Sequence, residues 1–600
     1  MAEIKQLPKR SDVPVELTWD LTTIFKDDRA VKTAMTQLKV GVQAVLTQQG
    51  KLQDSAQNLL KVIQDELNVQ NQLEHLFVYA ELKNDQDTGD NTNQGLKDQI
   101  TGLVAKVSAQ LAWIEPEILA IPNQKLTEFQ NNESELKPYE HFLAVLRLKK
   151  DHVLSAKEEA ILAGASSIFD SSEKVFGILD NSDLKFPFVK NSAGQTVQLS
   201  QGMYSTLLQS TNQVVRKQAF EQLYAVYEQF RNTFAATLSG EVKVHNFNAQ
   251  IRGFKDARQA AMSENAIPDA VYTNLVTEVN SHLDLLHRYV GLRKKILNLK
   301  EMHMYDLYTP ITGKSPLSYT YQKAQTEAKE ALQIMGDDYV SHVDEAFKNR
   351  WIDVVENQGK RSGAYSSGVY GTNPFMLLNW QDDLENLFTL VHEMGHSMHT
   401  YYTTHNQPYQ YGDYAIFVAE IASTTNENIL TSYLLDKYDD PQIKLYVLNH
   451  YLDDFKGTVY RQTQFAEFEQ FIHEADAKGE PLTAEMMSNY YGDLNHRYYG
   501  DAVINDDQIK SEWTRIPHFY YNFYVYQYAT GFAAASSLAN GITTHQAHAR
   551  ENYLNYLKSG SSDFPLNVMK KAGVDMTRKA YLEDAFAVFE KRLNEFESLL

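Results

Sequence analysis

The 600-residue chain contains no cysteine. That absence excludes disulfides, thiolate metal sites and cysteine nucleophiles together, and it suits a reducing, cytoplasmic setting. Long apolar runs are missing as well. None approaches the roughly 18 residues of a membrane span, and the opening MAEIKQLPKRSDVPVELTWDL lacks the apolar stretch of a secretory leader. The expectation is a chain without membrane contact. Positive charge is in deficit: 56 Lys and Arg face 77 Asp and Glu, for a net charge of −21. Nucleic acid is therefore not an expected partner, because its phosphates demand clustered cations. The same acidity serves solubility and, near a site, favours cationic ligands. No feature marks an obligate protein partner. Helix breakers are scarce too, with 28 Gly and 15 Pro, while 43% of the residues are hydrophobic. Helix over sheet, with ample material for a core, follows from that mix.

What is present is helical periodicity. Leu96, Ile100, Leu103, Val104, Val107, Leu111 and Ile114 recur at steps of three and four, one apolar stripe. Similar stripes fill most of 30–83, so 1–115 reads as a helical hairpin or bundle. The loop from Asn84 to Gln94 carries Asp85, Asp87 and Asp90, without the glycine and glutamate placement of a calcium loop. Residues 116–200 are a further helical segment that ends in KFPFVKNSAGQTVQLS, where Phe186–Val189 and Thr196–Leu199 flank a turn with Gly194, a β-hairpin. Ser200 is a helix cap. Residues 201–600 form the third and largest segment. Within it RSGAYSSGVYGTNPFMLLNW changes from Gly- and Ser-rich loop to a β-type run near 374–379, expected as an edge strand walling a cleft.

LVHEMGHSMH, Leu390–His399, follows that strand. Asp382 or Asp383 caps a helix from Leu384 to about Tyr402. His392 and His396 then lie one turn apart on one face, and both imidazoles can reach a single zinc ion at about 2.0–2.1 Å. Glu393 is turned about 100° away, unsuited as a ligand but placed to take a proton from water at the metal's open position. The bland alternative is two half-buried histidines on an amphipathic helix. A third ligand decides between them. Glu420, in FVAEIASTTNEN, lies 24 positions after His396, far enough for a turn and a returning helix. It completes a His2Glu site with one position open. His399 competes, but the rise from His392 to His399 is about 10.5 Å, too long for three imidazoles of one straight helix to converge. His399 then stands behind the ligands. Glu427 shares the helical face of Glu420 and can hold a ligand imidazole through its free N–H.

HEMGHSMH followed by FVAEIAST resembles the zinc oligopeptidases related to thimet oligopeptidase, and most closely the oligoendopeptidase F group. RSGAYS, LLNW and FYVYQYATG extend the resemblance over nearly the whole chain. It implies a mainly α fold, a helical ellipsoid with a deep substrate channel, an oligoendopeptidase-F-type N-terminal domain over 116–200 and a catalytic domain over 201–600. It implies one Zn2+ per chain, held by His392, His396 and Glu420, with Glu393 as general base. Thr424 departs from the pattern, because some relatives of the wider clan carry Asp there. The family also has a His followed by tyrosines to stabilise the oxyanion, and His518 in RIPHFYYNFYVYQYATG matches it. His518, Tyr521, Tyr524 and Tyr528 are spaced three, three and four, so a helix would align them. Tyr524 and Tyr528 are the catalytic candidates and Tyr521 a substrate contact; Tyr526 competes.

The expected activity is zinc-dependent cleavage of internal bonds in short unstructured peptides. Phe375, Met376, Leu377 and Leu378 would hold the substrate backbone by strand addition. Two other readings stay open. A zinc carboxypeptidase or dipeptidase would need a cationic pocket for the substrate terminus. A non-catalytic helical peptide-binding protein would need no intact HExxH and third glutamate.

Overall fold

The computed structural model describes residues 6–600; the first five residues lie outside the described part. Packing divides the chain into two compact units, and neither is contiguous. The first joins residues up to 150 to 317–433 and 538–574; the second joins 151–316, 434–537 and 575–600. Periodicity marks which residues are buried, but not which distant stretch buries them.

The first unit opens with α1 (Asp28–Leu46), α2 (Ala56–Asp85) and α3 (Asn91–Leu111). The apolar stripe read from the sequence faces their shared core: Ile100, Val107, Leu111 and Ile114 are buried, with Leu96, Leu103 and Val104 packed against them. The aspartates of the α2–α3 loop have structural partners. Asp90 caps α3 by accepting from the amides of Thr92 and Asn93, and Asp85 accepts from Arg361 and from the Tyr365 hydroxyl.

β-structure is slight. β1 (Phe188–Lys190) and β2 (Thr196–Gln198), in the second unit, form the expected hairpin, with Val189 opposite Val197. Gly194 takes the positive φ of the turn. Ser200 caps α4 (Gln201–Leu208) by accepting from the Met203 amide. In the first unit β3 (Ile352–Asp353), β4 (Tyr365–Ser367) and β5 (Phe375–Leu377) make a sheet of order β3-β5-β4. β5 is therefore central, not the edge strand expected near 374–379. It pairs parallel with β3 and antiparallel with β4, and Phe375, Met376, Leu377 and Leu378 are each at most 1% exposed. Their apolar run marks a strand buried on both faces. Trp19 meets Phe375 edge-on at 6.5 Å.

The sheet packs against α5 (Leu384–Asn406), which Asp383 caps through the Asn386 amide at 2.8 Å. α6 (Ile416–Lys437) follows after a short turn. Far along the chain comes α7 (Tyr526–Thr543). Among the described residues no helix is long and apolar enough to cross a membrane.

A buried charge anchors the β3 end of the sheet. Asp353, fully inaccessible, accepts from Arg10 and lies 2.7 Å from the equally buried Lys360 ammonium. Burial lowers the pKa of Lys360, and Asp353 opposes that shift. Removing one member of such a knot leaves the others desolvated and unpaired, which costs about 3–5 kcal/mol. Asp353→Ala is therefore expected to lower the urea midpoint by that equivalent; an unchanged midpoint would show that Arg10 and Lys360 find water instead.

Candidate metal centre

α5 and α6 supply the centre, and a glycine sets their separation. A Cβ built on Gly395 would lie 2.5 Å from Ser423 Cα, 2.7 Å from the Ala422 carbonyl oxygen and 2.8 Å from the Ser423 amide nitrogen. The two backbones thus touch one residue away from His396. The Asn426 amide donates to the Val391 carbonyl at 3.2 Å, tying α6 to α5 again. From the other side Tyr556 and Tyr553 donate to the carbonyls of Val418 and Ala422, at 2.8 and 3.3 Å.

This crossing delivers three ligand atoms to one point. Glu420 Oε2 lies 3.5 Å from His392 Nε2 and 3.4 Å from His396 Nε2, and all three atoms fall within 4.8 Å of one another. Bonds of 2.0–2.1 Å in a tetrahedral shell require ligand separations of about 3.3–3.4 Å, so the residues fit a zinc-sized ion. Ser423 Oγ orients the carboxylate, donating to its Oε2 at 3.1 Å. Glu427 Oε1 lies 2.9 Å from His392 Nδ1, on the ring nitrogen that faces away from Glu420. That contact fixes which nitrogen is left for the metal.

Electrostatics point the same way. Three carboxylates, from Glu393, Glu420 and Glu427, surround two imidazoles. Burial disfavours charging His392, but Glu427 first, then Glu393 and Glu420, overcome it and raise its pKa to about 9. Burial would raise the pKa of Glu420, yet His396, His392 and Ser423 bring it down to about 2. Glu393 is 7% exposed and its pKa is raised by desolvation, against the pull of both histidines. Its Oε2 is buried without a protein partner, the condition of a carboxylate whose partner arrives with substrate or solvent.

His399 stays apart from the ligand atoms. It is 1% exposed, stacked on Tyr414 at 3.6 Å and 6°, and burial, then His396, holds its pKa well below the usual imidazole range. His518 and the tyrosines belong to the second unit. They are not aligned on one helix: His518 sits in a short 3-10 turn, Asn522 and Phe523 adopt positive φ, and α7 begins only at Tyr526. The rings cluster nonetheless. His518 is 5.7 Å from Tyr521, 6.5 Å from Tyr524 and 5.9 Å from Tyr528, centroid to centroid. Tyr521 is 46% exposed, whereas Tyr526 is buried. The sequence reading missed Gly395, although an isolated glycine inside an apolar helix is itself a sign of close packing.

Residues 206–588 match the model of peptidase family M3, and 117–186 match that of oligopeptidase F. The chain belongs to peptidase family M3. It is a metalloendopeptidase. The chain is 50% identical over 592 residues to the plasmid oligoendopeptidase F of Lactococcus lactis subsp. cremoris, covering 98% of each chain. It is 48% identical over 603 residues to the oligopeptidase PepF of Bacillus subtilis, covering all of this chain and 90% of that one. The crystal structure of oligoendopeptidase-F from Enterococcus faecium superposes with a TM-score of 0.75 at 48% identity, covering 95% of this chain and 99% of that one. The peptidase's metal site therefore sits in a family whose members are metalloenzymes.

Two outcomes test the geometry. Overpacking a core contact costs about 1–3 kcal/mol, so Gly395→Ala, which leaves every ligand in place, is expected to weaken metal binding by about ten-fold or more in a chelator competition. Unchanged affinity would mean that α6 can retreat freely. Glu420→Ala should lose the metal under conditions in which His399→Ala keeps it; the reverse order would exchange their roles.

Proposed function

We propose that the chain is a zinc-dependent oligoendopeptidase that cleaves internal bonds of short, unstructured peptides in the cytoplasm, with one zinc ion per chain. The observation that carries this reading is the convergence of His392, His396 and Glu420 beside a buried carboxylate, Glu393, with an unpartnered oxygen. The names of the lactococcal and bacillar relatives support the substrate class.

When bound, zinc supplies Lewis acidity at its open position. The remaining work falls to this chain's residues. Glu427 holds His392 in the required tautomer. Glu393, its pKa raised by desolvation, accepts a proton from the attacking water and returns it to the leaving amine. His518, with Tyr524 or Tyr528, is assigned the hydrogen bonds to the developing oxyanion, which typically contribute a few kcal/mol. Tyr528 Oη lies 3.5 Å from His518 Nε2, a long contact that leaves both groups able to turn to a ligand. Backbone capture is assigned to β4 rather than to Phe375–Leu378, because β4 has a strand partner on one side only. A vestigial, non-catalytic role would leave no reason for ligands and base to stay together.

Chelation should abolish peptide hydrolysis and added zinc restore it. Glu393→Gln keeps shape and all three ligands, so bound zinc should persist while kcat falls by about 10²–10⁴. A variant with full zinc and near-normal kcat would overturn the assignment of the base, and loss of zinc would make Glu393 a ligand.

A further inference from the structure

A cavity of about 670 Å³ opens in the first unit next to the ligand-bearing segments. Its wall includes Ala419, the residue before Glu420, and Thr400, one turn beyond His396. α2 contributes Glu74, the turn between α5 and α6 contributes Tyr409, Asp413 and Tyr414, and β4 contributes Ser366 and Ser367. The lining contains no lysine, arginine or histidine.

Glu74 and Asp413 are both exposed into this space, and among the described residues no ion pair engages either. Their environment does not compensate them. Burial raises the pKa of Glu74, Asp413 raises it further, and the Tyr409 hydroxyl only partly opposes this. Burial likewise raises Asp413, against the Tyr414 amide at 2.8 Å. Behind Tyr409, Glu66 is raised to about 7, by burial and then by Glu115. Two carboxylates that face one cavity, each raising the cost of the other's charge, and with no cation among the lining residues, favour a positively charged occupant. The walls offer a second attraction. Tyr370 and Tyr409 meet edge-on at 5.6 Å and 83°, and Tyr414 is fixed by its stack on His399. Aromatic faces attract organic cations. A bare metal ion is a poorer match, since calcium takes six to eight oxygens and this space offers two carboxylates among aromatic rings. β4, which ends the sheet, lines the same cavity through Ser366 and Ser367, and Gly368 follows it there. Gly368 rests directly on α5, where a Cβ would meet Thr400 Cγ2 at 2.8 Å. A peptide lying along that edge passes the cavity mouth.

We propose that this cavity is a substrate subsite for an organic cation, the ammonium or guanidinium group of the peptide being cleaved, with Glu74 and Asp413 as its anionic partners. The proposal rests on the peptidase reading above. It gives the surplus of negative charge a local purpose, and it gives His399 one: His399 holds a wall of the subsite rather than the metal.

The test is a set of peptides alike except at one position, which carries lysine, norleucine or glutamate in turn, each made with free and acetylated N-termini. At one position near the cleaved bond, zinc-loaded wild-type protein is expected to favour lysine over norleucine in kcat/KM by on the order of ten-fold, and glutamate least. The difference should reside in KM. The double variant E74Q/D413N should bring the lysine-to-norleucine ratio close to one. If acetylation of the terminus, rather than the side chain, controls the ratio, the cation is the peptide's α-ammonium. Equal cleavage of lysine and norleucine peptides at every position and with either terminus would overturn the subsite, as would a double variant that keeps the wild-type ratio. Those outcomes leave the peptidase reading intact; failure of the zinc-loaded protein to cleave any peptide removes both.

Discussion

Everything at the metal centre depends on how closely two helix backbones can approach. Glu420 has a short side chain, and it meets His392 and His396 only because α6 lies against α5 at a residue without a Cβ. The ligands are polar and exchangeable in kind; the approach is not. Helix separations of 8–10 Å are set by the side chains at the contact, and a Cβ at Gly395 would push the α6 backbone away from both imidazoles. Gly395 weakens its own helix slightly, as glycine does, and that cost is offset by the bonds Asn426, Tyr553 and Tyr556 make across and behind the crossing.

The charge around the centre follows from the same crossing. Bringing Glu420 and Glu427 to face the histidines places three carboxylates around two imidazoles before any ion is considered. The result is visible in two opposed shifts, His392 upward, chiefly through Glu427, and Glu420 downward, chiefly through His396. Such a site stores an attraction for positive charge. Glu393 takes part in that exchange as well, but burial dominates its own behaviour. Two glutamates on neighbouring helices thus acquire different chemistry from different surroundings, one ionised and bonded, one desolvated and waiting.

Local rules in the sequence were readable and long-range ones were not. The HExxH face, the Asp383 cap, the stripe through Ile100 and Val107, and the hairpin at Gly194 all depend on neighbours within a few residues. The distance from His396 to Glu420 could be judged because it spans one turn between two helices. The position of β5 could not. Its run of Phe375 to Leu378 fits an edge or a centre equally, and the partner that decides, β3, is formed by residues some twenty positions earlier. His518 and its tyrosines show the reverse failure. Their spacing imitates a helix that the positive φ values at Asn522 and Phe523 forbid, yet the rings still gather, because aromatic packing does not require a common helix.

The interleaving of the two units has a consequence for how the chain comes into being. The first unit draws on residues near both ends, and the hydroxyls that support α6 belong to Tyr553 and Tyr556. During synthesis His392, His396 and Glu420 all emerge well before those two tyrosines. For that interval the nascent chain holds a complete set of metal-binding side chains on helices whose outer brace has yet to be made. Contacts of such long sequence separation form slowly, and the acidic, cysteine-free chain meets that delay with charge repulsion between copies and no thiol to cross-link.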